Sequence, residues 1–334
     1  MSERILIAQL GFLGDVILST PVIAALGRHY PTAEIDFLTT KAASPLVRYH
    51  PRLTEILVYD KRGADRGLAG FLRLRRQLKS RSYSRVFSLH RSARTTLLHY
   101  LAGIPERYGF SEARFSALYS ATVPRNRAEH DVRRNLSLLK VIGASTGEAP
   151  LSVTVPEEVE ESARGLVGEE PYIAIAPGSV WRTKRWTIEG FSTVSRELLR
   201  QGHRVVLLGA GEDTAAGAVI ERRAAGVVNL IGRTDLLTSA AIVKGAGAVV
   251  ANDSAPLHLA SAFRRPTVAL FCATVPEFGF GPWETRSVIL GVEGLSCRPC
   301  GRHGKGFCPT GTHACQRGIS AGQVLQAIAE VMAA

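Results

Sequence analysis

No apolar run in this sequence of 334 residues reaches the about 20 residues that span a bilayer. The start, MSERILIAQL, carries its charges immediately before a short β-like run. It lacks the apolar core and small-residue cleavage site of a secretory signal. Aromatic residues make up only 7% of the chain, and they do not alternate with its basic residues in the way base-stacking surfaces require. No zinc-finger or RNP-like pattern occurs, which argues against specific nucleic-acid readout. The dinucleotide fingerprint G-x-G-x-x-G is also missing, which lowers a nicotinamide oxidoreductase. These absences predict a soluble cytoplasmic protein without a dinucleotide cofactor.

What is present is apolar and basic. Hydrophobic residues make up 46% of the chain, enough for large cores, and the length predicts two domains. The formal net charge is +12, concentrated between Lys61 and Arg134 in segments such as RLRRQLKSRSYSR and HDVRRN. Such a field attracts an anionic surface or substrate.

Strand-like runs alternate with amphipathic segments, the pattern of parallel βαβ units. In the first half RILIAQL, EIDFLTT, EILVYD and RVFSLH read as strands. Helices are expected over GDVILSTPVIAALGRHY, briefly over ASPLVRYHP, around Phe71–Lys79 and around Val132–Ile142. The Gly/Ser/Thr/Pro-rich stretch GASTGEAPLSVTVPEEVEE reads as a linker, giving domains 1–152 and 153–334. The second half repeats the pattern with YIAIAPGS, RVVLLGAGED, VVNLIG, AGAVVANDS and TVALFC as strands. TIEGFSTVSRELLRQG, closed by Gly202, and SAGQVLQAIAEVMAA read as helices. The expected fold class is α/β, two Rossmann-like domains with parallel sheets facing an interdomain cleft. One large doubly wound sheet is the alternative.

Three strand ends in the second half carry phosphate-binding features. In NDSAPLHLASA, Ser254 is a good N-cap and Pro256 suits a first helical turn. The free N–H groups there favour an anion, with His258 close by. In APGSVWRTKRW, Ser179, Thr183 and Lys184 offer hydroxyls and a cation to a diphosphate. In LLGAGED, Glu212 or Asp213 could accept ribose hydroxyls. Together they predict a nucleotide diphosphate bound to the second half.

The first half holds LGFLGDVIL, where Asp15 stands at a glycine turn that elsewhere cradles phosphate. If the phosphates lie on the second half, this acid is free to act as a general base. It equally suits a first-turn acid stabilising its own helix. Four cysteines, Cys297, Cys300, Cys308 and Cys315, fall in one Gly/Pro-rich loop. Their spacing suits a structural tetrathiolate site for zinc or iron; two disulfides or free thiols are the alternatives. Cys272 reads as a buried small apolar residue.

These motifs together resemble glycosyltransferase family 9, the ADP-heptose:lipopolysaccharide heptosyltransferases. The resemblance spans nearly the whole chain. It rests on LGFLGDVILSTPVIAAL, AGIPERYGF, APGSVWRTKRW, the run NLIGRTDLLTSAAIVKGAGAVVANDSAPLHLASA and PTVALFCAT. It implies a GT-B fold and an inverting, metal-independent transfer from an ADP-sugar to an acidic glycolipid. The transfer would take place at the anionic inner face of the inner membrane, by peripheral contact. Within the family the cysteine-rich tail and AGIPERYGF look most like the heptosyltransferase II type.

Carried onto matching positions, the resemblance makes Asp15 the base and Gly14 part of the acceptor turn. Ser179, Lys184, Asp253, Ser254, Ala255 and His258 would surround the diphosphate, Asp213 would hold the ribose, and Thr234 would lie near the adenine. Arg91, Arg94 and Arg134 would bind the phosphorylated acceptor. The family usually has glycine where Ala255 stands, and its methyl would crowd the closest phosphate approach. Readings outside this one are another NDP-sugar, a protein acceptor, or a non-catalytic sugar-nucleotide-binding module.

Overall fold

A computed structural model describes residues 3–61, 63–147 and 150–333. Positions 148 and 149 of the expected linker lie outside the described residues. The chain divides into two compact units, Met1–Thr154 and Val155–Ala334.

The first unit runs β1 (Arg4–Ala8), α1 (Leu13–Ile17), α2 (Thr20–His29), β2 (Glu34–Thr39), β3 (Glu55–Val58), α3 (Gly67–Ser80), β4 (Arg85–Ser88), α4 (Ala93–Leu101), β5 (Glu106–Phe110), β6 (Ala121–Val123) and α5 (Asp131–Ser137). Its six strands are all parallel, in the order β3-β2-β1-β4-β5-β6. Ile5, Leu6, Ile7 and Ala8 of β1 are fully buried, as a central strand covered on both faces must be. Ile35, Phe37 and Leu38 of β2 and Val86 and Phe87 of β4 flank it in the core.

The second unit runs α6 (Glu157–Val167), β7 (Tyr172–Ala176), α7 (Ile188–Arg200), β8 (Arg204–Leu207), α8 (Thr214–Arg223), β9 (Val228–Asn229), α9 (Leu236–Gly245), β10 (Ala248–Asn252), α10 (Ala255–Ala262), β11 (Thr267–Leu270), β12 (Ser287–Leu290), α11 (Ala314–Arg317) and α12 (Ala321–Met332). Its sheet order is β12-β11-β10-β7-β8-β9, again all parallel. Counting from the first strand of each unit, both sheets have the Rossmann order 3-2-1-4-5-6. Two separate sheets replace the alternative of a single large one. In such sheets ligands bind at the carboxyl ends of the strands, where the order reverses. Those switch points lie between β1 and β4 and between β7 and β10.

Local chemistry sets the helix ends. The Thr187 hydroxyl accepts from Gly190 N–H at 3.0 Å to open α7, and Ser320 accepts from Gln323 N–H at 3.2 Å to open α12. The apolar faces of α7 and α12, through Phe191, Val194, Leu198, Val324 and Ile328, pack on the second sheet. Each such side chain contributes about 1.5–3 kcal/mol through burial. The expected helix over ASPLVRYHP is only a 3-10 turn at Ser44–Leu46, ahead of Pro51, which has no N–H to join a helical ladder. The helix expected over residues 132–142 is α-helical only to Ser137. It tightens to 3-10 over Leu138–Ile142 before Gly143 at φ 66°. Among the described residues no helix is long and apolar enough to cross a membrane.

Candidate active site

In each unit the first β→α turn brings a glycine against an acid. After β1, Asp15 sits in the first turn of α1, and its Oδ2 accepts the Phe12 N–H at 2.8 Å. A Cβ on Gly11 would stand 2.4 Å from that oxygen, so the turn needs glycine there. Asp15 and Gly14 are both half-buried. The Gln9 side chain steadies the turn by accepting the Gly11 N–H at 3.1 Å.

A cavity of about 300 Å³ opens beside this turn. The ends of β1, β2, β3 and β4 line it, with Phe12, Lys41, Tyr59, Lys61 and His90 among its walls. Burial, with Lys61 and Arg91 nearby, pushes His90 down to about 4, so the ring is neutral near pH 7. Its Nδ1 lies 3.0 Å from Thr95 Oγ1. Sequence reading assigned none of Lys41, Tyr59, Lys61 or His90. Each stands at a strand end, but none lies in a recognisable motif.

The three arginines expected to meet an acceptor fare differently. Arg134 is fully buried. Its guanidinium donates to the Asn126 carbonyl at 2.8 Å and the Arg127 carbonyl at 2.5 Å, and lies 3.4 Å from Asp131. Buried in this way, its charge organises the loop before α5. Arg94 donates to the Gly67 carbonyl at 2.7 Å and lies over the Tyr59 and Phe71 rings, which ties α4 to α3. Arg91 is half-buried; desolvation, then the charge of Arg125, holds its pKa below the ordinary arginine value.

In the second unit the switch point gathers side chains from three strand ends. Lys184, in the loop after β7, lies 2.7 Å from Asp253 Oδ2, just past β10. The Thr274 hydroxyl, beyond β11, donates to the same oxygen at 2.6 Å. Asp253 is buried, so it orients the Lys184 ammonium. Asn252, fully buried, fixes the loop that carries Lys184. It accepts the Trp186 N–H at 2.9 Å and donates to the Pro177 carbonyl at 2.8 Å. Asn252 and Thr274 fall in the quoted motifs but were not singled out, because their partners are distant in sequence.

Ser254 occupies the N-cap position of α10 without a capping bond from its side chain, and its hydroxyl points back to the Asn252 carbonyl at 3.3 Å. The start of α10 therefore keeps its dipole and first-turn geometry for an anion. Ala255 and Pro256 form its first turn, and His258 is buried within it.

Asp213 is buried beside Gly178, where a Cβ would stand 2.1 Å from Asp213 Oδ2. Burial raises its pKa, partly offset by Arg185, whose guanidinium lies 3.5 Å away. Arg185 also donates to the Ser179 carbonyl at 2.7 Å. Glu212 is exposed beside it, the more accessible of the two acids expected to meet a ribose. Thr234 lies 2.8 Å from the Ser239 hydroxyl at the start of α9.

Thr183 was expected among the diphosphate ligands, but its hydroxyl is already satisfied. It donates to the Lys305 carbonyl at 2.9 Å and accepts the Lys305 N–H at 2.7 Å. Gln316 adds bonds to the Arg182 and Arg185 carbonyls at 2.9 Å and 2.6 Å. The cysteine-rich loop thus braces the loop that presents Lys184.

Cys297, Cys300, Cys308 and Cys315 are all free thiols. Cys315 is buried in the core of the unit and Cys300 packs against that core, while Cys308 Sγ lies 3.4 Å from the Thr310 hydroxyl. Hydrogen bonds, first from Thr310, hold the half-buried Cys308 thiol down to about 6. Among the described residues no three His, Cys, Asp or Glu side chains are grouped to hold a metal ion. The expected zinc or iron has no ligand set in this arrangement. Cys272 is buried in the core, as expected.

With this geometry established, comparison with known proteins is informative. The sequence profile of glycosyltransferase family 9 (heptosyltransferase) matches residues 71–309. Lipopolysaccharide heptosyltransferase 2 of Salmonella typhimurium is 28% identical over 293 residues, covering 82% of this chain and 84% of that protein. A glycosyltransferase family 9 structure from Veillonella parvula superposes with a TM-score of 0.89 at 23% identity, covering 100% of this chain and 98% of the other. The E. coli ADP-heptose lipopolysaccharide heptosyltransferase II structure gives 0.81 at 24% identity, covering 99% and 98%. The α/β, GT-B fold class expected from the sequence is the class of these neighbours.

Proposed function

The chain belongs to glycosyltransferase family 9, and from that premise we propose that it moves a heptose from ADP-heptose to the inner core of a lipopolysaccharide precursor. The observation that carries this reading is the cation at the second switch point. Lys184 is held by Asp253, which the Thr274 hydroxyl fixes in turn, next to the open N-terminus of α10. A diphosphate there meets an ammonium and a helix dipole, which stabilise it most as it leaves with increasing charge. Glu212 or Asp213 takes the ribose.

In the proposed reaction the Asp15 carboxylate accepts the proton of an acceptor hydroxyl. The hydroxyl oxygen bonds to the anomeric carbon as the bond from that carbon to the diphosphate breaks. ADP departs and the anomeric configuration inverts. The Phe12 N–H fixes one carboxylate oxygen, which limits the rotamers open to the base. The cavity beside the Asp15 turn has Lys41, Lys61 and Asp60 in its wall, a net positive lining that suits an acidic sugar. The name of the Salmonella relative supports heptose transfer to a lipopolysaccharide, and the E. coli structure, described as an ADP-heptose lipopolysaccharide heptosyltransferase II, supports the ADP-linked donor.

A donor screen tests the reading: purified protein, a heptose-deficient acceptor, and release of the nucleoside diphosphate as readout. ADP-heptose is expected to give the fastest turnover. Turnover with another NDP-sugar but none with ADP-heptose would overturn the donor assignment.

A further inference from the structure

We propose that the face formed by α3 and α4 docks the first unit on an anionic lipid bilayer. The two helices are tied at both ends. Arg94 donates to the Gly67 carbonyl at 2.7 Å, and Arg75 donates to the Leu101 carbonyl at 2.8 Å. These pairs lie 27 and 26 residues apart, so the helices run side by side in the same direction. That offset sets Leu97 beside residues 70–71 and Leu101 beside Arg75.

The buried side of α3 is Phe71, Leu74 and Leu78, and that of α4 is Leu98 and His99. On the outer side Leu68 is 72% exposed and Leu72 40%, next to exposed Leu97, Tyr100 and Leu101. These five are among fourteen exposed large apolar side chains in the described residues, although the two helices hold only 14 and 9 residues. Neither helix contains an acid; Arg76 and Lys79 are exposed on α3, while Arg73 pairs with Asp65 just before it.

A merely solvated basic face does not need leucines. Leucines flanked by cations are what an interfacial helix presents to acyl chains and anionic headgroups. The shared positive charge sets a second copy of the same face against itself. A nucleic acid would use the cations but leave the leucines without a partner. The inference deepens the acidic-glycolipid reading and rests on it for its purpose, since that acceptor would be presented at such a surface.

The test is co-sedimentation of the full chain with phosphatidylcholine vesicles, with and without phosphatidylglycerol, in the absence of donor and acceptor. Binding is expected only with the anionic lipid, falling as salt rises. The double variants Leu68→Ser/Leu72→Ser and Arg76→Gln/Lys79→Gln are each expected to lower it by about tenfold or more. Turnover of an acyl-free acceptor should stay at the wild-type level in both. The charge variant alters only exposed side chains, so it keeps the test decisive if the leucine variant folds poorly. Equal binding to neutral vesicles, unchanged binding by the charge variant, or concentration-dependent self-association lost in the same variants would overturn the proposal. Vesicle binding is read without the reaction, so a failed donor screen and a failed docking surface are separate results.

Discussion

At the scale of single residues, the sharpest constraints come from atoms with no room to move. Gly178 faces Asp213 so closely that an added Cβ would stand 2.1 Å from its carboxylate, and Asp213 is too buried to swing aside. Gly178→Ala is expected to cost about 1–3 kcal/mol of stability and to weaken ADP-sugar binding, read by thermal unfolding and calorimetry. A variant with wild-type stability and affinity would show that the turn relaxes freely. His99 is fully buried with neither ring nitrogen hydrogen-bonded, and burial pushes it down to about 3. The unfolded chain takes up this proton near 6.5 and the folded chain does not. The contribution of His99 is therefore intact above pH 6.5 and is lost as pH falls toward 3. His99→Leu should flatten the acid limb of stability by about 1.4 kcal/mol per pH unit within that window. An unchanged acid limb would place the charge change elsewhere.

At the scale of elements, the loop after β7 works because two other segments hold it. Asn252 fixes both its ends, and the cysteine-rich loop clamps it through Lys305 and Gln316. Lys184→Ala removes the cation itself and should weaken donor binding by about tenfold or more. Thr183→Val keeps the cation but releases the clamp, and it should raise the donor dissociation constant less while lowering the melting temperature. If the two variants were indistinguishable in both affinity and stability, Thr183 would be a ligand of the donor, as sequence reading had it, and not a brace. This is where legibility stopped. Lys184 was singled out because a strand followed by a cation suits phosphate, whereas Asp253 entered only through the family resemblance. The partnership of Thr183 with Lys305 spans 122 positions and leaves no local signature. The burial of Arg134 was illegible for a related reason: a basic run shows charge but not burial, and the carbonyls of Asn126 and Arg127 that bind it carry no sequence signal.

At the scale of the whole molecule, strand–helix alternation was enough to predict two parallel α/β units, since uninterrupted apolar strands such as YIAIA must be covered on both faces. β5 and the edge strands β6 and β12 escaped that reading. Glu106–Phe110, Ala121–Val123 and Ser287–Leu290 are short and only partly buried, so their patterning is weak. Both units have the same strand order, and each carries its candidate site residues at its own switch point. The proposed division of labour gives the second unit the diphosphate and the first unit the proton. Its central claim is that Asp15 is the base rather than only the acid that caps α1. Asparagine at this position can still accept the Phe12 N–H, so Asp15→Asn separates the two roles. The decisive measurement is turnover of Asp15→Asn beside its ADP-heptose affinity and melting temperature. The expected result is a loss of about 10²–10⁴ in kcat with affinity and stability essentially unchanged. Wild-type turnover in that variant, or a loss of turnover that follows a loss of stability, would contradict the assignment.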